Sequence, residues 1–160
     1  RMDHPRAAGP AADRHGGAAR LLGSAVRRSQ AMRFAGYAAL FDVPDAGRDT
    51  IRRGAFARSL AARTVPLPLY WQHRADQPIG VVEKAEEDAR GLRVIARIDR
   101  PESRAAALLA NGAVNGLSFG FRTRAARHSP AGRELIEIDL IEVSLVTYPL
   151  QHRARVHLIA

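Results

Sequence analysis

Hydrophobic and polar positions alternate along most of the chain from residue 33 onward. Seven segments show period-two alternation or short apolar runs, and Gly or Pro interrupts the pattern between them. The predicted strands are residues 33–41, 66–73, 78–84, 91–98, 115–124, 134–146 and 154–159. Turn-forming residues at 86–91 and 129–132 separate neighbouring strands. The pattern therefore predicts a mainly β protein.

Two short segments have helical spacing instead. In residues 54–63, Phe56 and Leu60 are spaced to share one helix face. Residues 101–110 begin with Pro and Glu in the first turn, and Gly112 follows where a C-terminal cap belongs. This many strands in so short a chain predict a small barrel or sandwich with peripheral short helices.

The first 31 residues differ in composition from the rest of the chain. They are rich in Ala, Gly, Arg and Pro and have almost no aromatic or β-branched residues. Such a segment cannot bury enough apolar surface to offset the entropy lost on ordering. We therefore expect a disordered leader over residues 1–31 and a folded domain over residues 32–160, starting near Met32.

Composition limits the class of protein. The chain has 160 residues and 46% hydrophobic content, which suits one domain with a core. It has no cysteine, which excludes disulfides and Cys-based zinc sites. A run of 18 apolar residues is absent and the N-terminus lacks the apolar segment of a signal peptide, so we expect a cytoplasmic protein without a membrane span.

The net charge of +9 raises the question of nucleic-acid binding. Lys84 is the only lysine among the 25 basic residues, and the abundance of Arg, Ala and Gly indicates a GC-rich genome. Beyond the leader the positive charge is dispersed, since Arg90, Arg93 and Arg97 alternate with apolar and acidic residues. We therefore predict no dedicated nucleic-acid site, and the alternative is binding through the Arg-rich leader.

A glycine-flanked serine, Ser118 in residues 116–120, is the first candidate for chemistry. The pentapeptide formally fits the nucleophile elbow of α/β-hydrolases, but residues 121–124 continue as a strand where that elbow requires a helix. Those hydrolases also place their histidine last in the chain, which excludes the elbow here. Two interpretations remain open. Ser118 is either a small structural residue on a half-buried strand or a hydroxyl nucleophile activated by a neighbouring base.

His73 lies 45 residues before Ser118, at the end of a predicted strand and beside a loop. That position suits a general base for a hydroxyl on a neighbouring strand, and the alternative is a surface imidazole. Asp76 follows three residues later, but no second His or Cys stands at ligand spacing. We therefore predict neither a metal nor another cofactor.

Glu142 is the carboxylate with the most apolar predicted surroundings. If residues 137–146 form one continuous strand, Glu142 shares a face with apolar even-numbered residues such as Leu140. Glu137 and Asp139 then lie on the opposite, wetter face. A carboxylate on an apolar face needs a partner, because burying it alone is costly. The partner is a histidine or an arginine, and the sequence leaves both open.

Six short segments, read in order, resemble the HK97-type prohead proteases of tailed phages. They are residues 34–42, 53–56, 69–73, 77–80, 116–121 and 141–149. The resemblance extends over about residues 33–158. It implies a serine endopeptidase related in fold to herpesvirus assemblins, which form a small, mostly antiparallel β-barrel with peripheral short helices.

The resemblance also implies roles for individual residues. It makes His73 the base and Ser118 the nucleophile. Assemblins use a second histidine as third member, whereas this chain has Glu142 at a comparable distance past the serine. Asp139 and Glu137 are the alternative acids. The remaining alternatives are a Ser–His dyad without a third member, or a further histidine as third member: His128, His152 or His157. We expect the oxyanion-binding groups in a loop near residues 147–152.

The implied function is capsid maturation. Substrates would be scaffold protein or the scaffold-like arm of the major capsid protein, with self-cleavage and self-association. The enzyme would act inside the immature capsid of a phage, a prophage or a gene transfer particle, without membrane contact. The non-enzymatic alternative is a capsid-assembly or scaffold-binding module on the same barrel, with Ser118 purely structural.

Overall fold

The computed structural model describes residues 31–160, which contain eight strands and two short helices. All but the last residue of the predicted leader lies outside this part. The strands are β1 (Met32–Leu40), β2 (Asp49–Ile51), β3 (Leu67–Trp71), β4 (Arg74–Glu87), β5 (Gly91–Ile98), β6 (Gly116–Ser129), β7 (Gly132–Val146) and β8 (Val156–Ile159). The helices are α1 (Ala57–Ala62) and α2 (Arg104–Ala110). The prediction of a mainly β fold with short helices is confirmed; only β2 was not predicted.

The strands form one mixed sheet in the order β2-β7-β3-β4-β5-β1-β8, and β6 pairs with β7. The β2–β7 and β3–β7 pairs are parallel and the other five pairs are antiparallel. The ladders do not close. The start of β6 meets the segment before β8 at one isolated bridge, between Gly116 and Arg155. The sheet is therefore mostly antiparallel, and its closure into a barrel stays a prediction.

Local signals set the turns and the helix ends. Asp88 joins β4 to β5, where its carboxylate accepts hydrogen bonds from the amides of Arg90 (2.8 Å) and Gly91 (3.1 Å). Ser103 caps the N-terminus of α2 by accepting a hydrogen bond from the Ala106 amide at 3.2 Å. Gly112 follows α2 with a φ of 77°, as expected for a residue just past a helix end.

The hydrophobic core lies against one face of the β6–β7 hairpin. Leu117 is fully buried there, and Phe56, which precedes α1, packs edge-to-face on Phe119 with ring centroids 5.3 Å apart. Side chains alternate between the faces of a strand, so Ser118 and Gly120 point to the opposite face. The core thus fixes the direction of the candidate nucleophile. Neither described helix is long and apolar enough to cross a membrane.

Candidate active site

His73 lies in the two-residue turn that joins β3 to β4. Trp71 and Arg74 pair on either side of it. Gln72 and His73 have φ values of 52° and 61°. Positive φ at both central residues is the mark of a type I′ turn, whose twist matches that of the flanking strands. The left-handed conformation costs a non-glycine residue roughly 1–2 kcal/mol. The predicted strand over residues 66–73 is therefore wrong at its end, because the chain reverses after Trp71.

Four hydrogen bonds hold this turn against β7 and its C-terminal end. The Gln72 amide donates to the Leu145 carbonyl (3.0 Å), and the His73 amide donates to Ser144 Oγ (3.1 Å). The Gln72 side chain donates to Thr147 Oγ1 (2.7 Å) and accepts from the Thr147 amide (3.2 Å). A strained backbone persists only where its surroundings over-determine it. These four hydrogen bonds hold the turn in its strained conformation, and they thereby fix the backbone position from which the His73 side chain extends.

The His73 imidazole contacts the carboxylate of Glu142. His73 Nδ1 and Glu142 Oε1 are 2.5 Å apart. The Glu142 side chain is only 8% exposed, whereas that of His73 is 42% exposed. A carboxylate accepts hydrogen bonds, so Nδ1 carries the proton in this contact and Nε2 is left as the basic nitrogen. Of the two partners that the sequence left open for Glu142, a histidine or an arginine, the structure therefore shows the histidine.

A β-bulge in β7 determines the direction of Glu142. Gly120 pairs with Glu142, but the next residue of β6, Phe121, pairs with Leu140. Ile141 is therefore an extra residue on β7, and it is 41% exposed. The prediction that Glu142 shares a face with Leu140 assumed an uninterrupted strand and is wrong. The bulge turns Glu142 to the face opposite Leu140.

Ser118 lies on this same face, two residues along β6 from Gly120, the residue that pairs with Glu142. It pairs with Ser144 in the β6–β7 ladder. Directly paired residues of antiparallel strands have Cβ atoms about 4.5–5.5 Å apart, so Ser118 neighbours the hydroxyl that binds both His73 and Glu142. Ser118 is 6% exposed. Within residues 31–160 no hydrogen bond joins Ser118 to His73, and such bonds are often long before substrate binds.

The alternative acids and histidines have other partners. Asp139 forms an ion pair with Arg124 (3.0 Å), and Glu137 forms one with Arg58 (3.5 Å). The three further histidines lie elsewhere: His128 pairs with Arg133 on the β6–β7 hairpin, His152 lies beside Arg155, and His157 lies beside Tyr37. Among residues 31–160, no cluster of three or more metal-ligating side chains occurs.

Two residues of the site escaped the sequence prediction. Ser144 binds Glu142 Oε2 at 2.6 Å, and Gly120 leaves the space in which the Glu142 side chain lies. A Cβ on Gly120 would stand 2.6 Å from Glu142 Oε1. The one signal for Ser144 was a lone hydroxyl within an otherwise apolar run after Glu142.

The loop after β7 starts beside the histidine-bearing turn and crosses to β1. Gln151 is buried, and its side-chain amide accepts from the Leu40 amide (2.7 Å) and donates to the Leu40 carbonyl (2.9 Å). Pro149 packs against Gly116 at the start of β6, where an added Cβ would stand 2.7 Å from its ring. The loop that was expected to bind the oxyanion thus contacts β1 through Gln151 and the start of β6, close to Ser118, through Pro149.

Comparison with known proteins assigns the family. Residues 23–160 match the family described as Caudovirus prohead serine protease. The chain belongs to this family. It is 33% identical over 128 residues to the prohead protease of Enterobacteria phage HK97, which covers 76% of the chain and 57% of that protein. A capsid polyprotein of Pseudomonas phage PAJU2 is 29% identical over 103 residues, 58% of the chain and 15% of the polyprotein. The chain thus spans little more than half the length of the first relative.

Solved structures with the same fold include two viral proteases. The bacteriophage T4 capsid assembly protease aligns with a TM-score of 0.56 at 15% identity, over 71% of this chain and 80% of that chain. The KSHV protease in complex with a hexapeptide phosphonate inhibitor aligns with a TM-score of 0.56 at 14% identity, over 81% and 65%. At these identities the likeness concerns the fold. The prohead protease resemblance is confirmed, and the fold is assemblin-like.

Proposed function

We propose that this prohead protease family member is a serine endopeptidase that cleaves scaffold or capsid protein as a phage or phage-like prohead matures. The observation that carries the proposal is the 2.5 Å contact between His73 and Glu142. Glu142 lies on β7, which pairs with β6, the strand that carries Ser118. A nucleophile, a base and an orienting acid on adjacent elements are the parts of an acyl-transfer site.

In the proposed mechanism, Ser118 Oγ attacks the scissile carbonyl while His73 Nε2 takes its proton. Glu142 holds the ring through Nδ1 and stabilises the imidazolium that forms. The tetrahedral intermediate collapses, the leaving amine takes the proton from Nε2, and an acyl-enzyme remains on Ser118. Water, deprotonated by the same nitrogen, then releases the acyl product and restores the hydroxyl.

The surroundings of each group suit its role. Glu142 is shielded from water, so its attraction for the imidazolium is stronger than at a surface. The His73 ring is partly open, which gives a substrate access to Nε2. Backbone amides of the loop at residues 147–152 are the proposed oxyanion donors, since this loop starts where Thr147 binds the histidine-bearing turn. The Thr147 amide already donates to Gln72 and Pro149 has no N–H, so the donors lie among the other residues of the loop.

The comparisons support the substrate class. One relative is named a prohead protease and another a capsid polyprotein. We infer that this chain cleaves scaffold protein, or an arm of the major capsid protein, inside the immature capsid, and also associates with and cleaves itself. Confinement raises the local concentration of enzyme and substrate, so that weak binding suffices.

The test is co-expression of the chain with the capsid and scaffold proteins of its own particle. Ser118→Ala should abolish their cleavage while circular dichroism and melting temperature stay close to those of the parent, because only a hydroxyl is removed. Ser129→Ala is the matched control at the exposed end of β6, and it should cleave normally. Processing that continues in Ser118→Ala would show that Ser118 is not the nucleophile.

A further inference from the structure

Ser144 is the most deeply buried polar residue of the described chain, with 0% of its surface exposed. It lies on β7 between Val143 and Leu145, both of which are fully buried in the core. A hydroxyl at such a position needs hydrogen bonds, because leaving it unpaired away from water is costly. Its two partners are therefore informative about its role.

The Ser144 hydroxyl joins the acid to the backbone of the base. It donates to Glu142 Oε2 at 2.6 Å and accepts from the His73 amide at 3.1 Å. Glu142 Oε1 contacts His73 Nδ1 at 2.5 Å. Both carboxylate oxygens are thus engaged, and the carboxylate cannot rotate without losing one of these contacts.

The same bond also restrains the strained turn. His73 has a φ of 61°, and its amide has the Ser144 hydroxyl as its acceptor. With alanine at position 144, the amide and one carboxylate oxygen would both lose their partner. We therefore expect the turn and the carboxylate to shift relative to each other, although the sheet itself would still pair through its backbone.

We propose that Ser144 is a positioning residue of the peptidase site, which sets the distance and angle between Glu142 and the His73 imidazole. This inference rests on the proposed function, since it gives Ser144 a role only in that reaction. Ser144 acts through Glu142 and does not touch the substrate.

The experiment measures labelling of Ser118 by a fluorophosphonate in the full chain, with kinact and KI determined separately. Ser144→Ala should lower kinact by roughly 10- to 100-fold, because small displacements of catalytic groups are costly, and leave KI unchanged. In the Glu142→Gln background the same substitution should have almost no further effect, since residues that act as a unit are not additive.

Ser59→Ala is the matched control. Ser59 Oγ, like Ser144 Oγ, accepts a hydrogen bond from a backbone amide, in this case that of Leu140 on β7, at 2.8 Å. Ser59→Ala removes one such bond at a half-buried position, so it should lower stability less than Ser144→Ala and leave kinact unchanged. Should Ser144→Ala fail to fold, Ser144→Cys preserves the size of the side chain with much weaker hydrogen bonding, and it should show the same kinetic loss.

A second readout does not depend on activity. The short bond from Nδ1 to Glu142 should give a far-downfield proton resonance assigned to His73. This resonance should move upfield or broaden in Ser144→Ala and stay in place in Ser59→Ala. A normal kinact and an unmoved resonance in Ser144→Ala would overturn the positioning role while leaving the proposed function intact. Absence of any Ser118 labelling in the parent chain would instead overturn both.

Discussion

Gly120→Ala should inactivate the site without unfolding the protein. Gly120 faces Glu142 across the β6–β7 ladder, and the glutamate side chain lies over it. An added Cβ would stand 2.6 Å from Glu142 Oε1, 3.0 Å from its Cγ and 3.1 Å from its Cδ. Cβ atoms essentially never approach a neighbour more closely than 3.0 Å, so the carboxylate must move away. Its 2.5 Å contact with His73 then lengthens or breaks.

The size of the loss follows from two limits. In a Ser-His-Asp protease, converting the acid of the triad to an amide lowers kcat by about 10⁴-fold. A displacement of a catalytic group by about 1 Å can lower the rate by about 10²-fold. Gly120→Ala keeps the carboxylate but displaces it, so we expect a loss of about 10²-fold, or about 2.7 kcal/mol of transition-state stabilisation. Alanine is intrinsically better than glycine in a strand by about 0.5–1 kcal/mol, which offsets part of the crowding in the folded state.

The assay is the rate of Ser118 labelling by a fluorophosphonate, with the melting temperature measured in parallel. Gly47→Ala is the control, because an added Cβ there meets only Asp45 Oδ1, at 3.3 Å. It should label like the parent chain. Labelling of Gly120→Ala within threefold of the parent rate would show that the position of the Glu142 carboxylate is unimportant for the reactivity of Ser118.

Three further predictions concern the acid, the turn and the leader. Glu142→Gln should lower the labelling rate by about 10⁴-fold, whereas Asp139→Asn should change it little because Asp139 pairs with Arg124; the reverse order would make Asp139 the acid. Gln72→Ala removes two hydrogen bonds to the residue after β7, so thermal melting should show a loss of about 1 kcal/mol, or roughly 3–5 °C; an unchanged melting temperature would mean that this side chain does not hold the turn. A chain that starts at Met32 should fold and label like the full chain, and an insoluble product would contradict the predicted domain boundary.

Most of the fold could be predicted because alternation is a direct record of which face of a strand is buried. The pattern predicted all seven longer strands and both helices, with ends that differ from those of the structure by up to five residues. The strand β2 was missed because Asp49–Ile51 is too short to show a period. Pairing between strands distant in the chain, such as the parallel β3–β7 pair, leaves no local signal, so the mixed character of the sheet was not predicted.

The candidate site residues were named from the sequence, but their arrangement could not be predicted. The turn at Gln72 and His73 carries none of the Asn or Gly residues that usually reveal a type I′ turn. The bulge at Ile141 leaves the sequence pattern unchanged while reversing the faces beyond it. Glu142 was therefore placed with the wrong neighbours. The role of Ser144 depends on both features, which is why it appeared only with the structure.

The proposed function depends on the activation of Ser118 by His73. The direct measurement is fluorophosphonate labelling of the full chain, followed by mass spectrometry of its peptides. A single adduct is expected on Ser118, lost in His73→Ala and retained in His128→Ala, which replaces an exposed histidine on the β6–β7 hairpin. An adduct on another residue, or labelling of Ser118 in His73→Ala at the parent rate, would show that His73 does not activate Ser118.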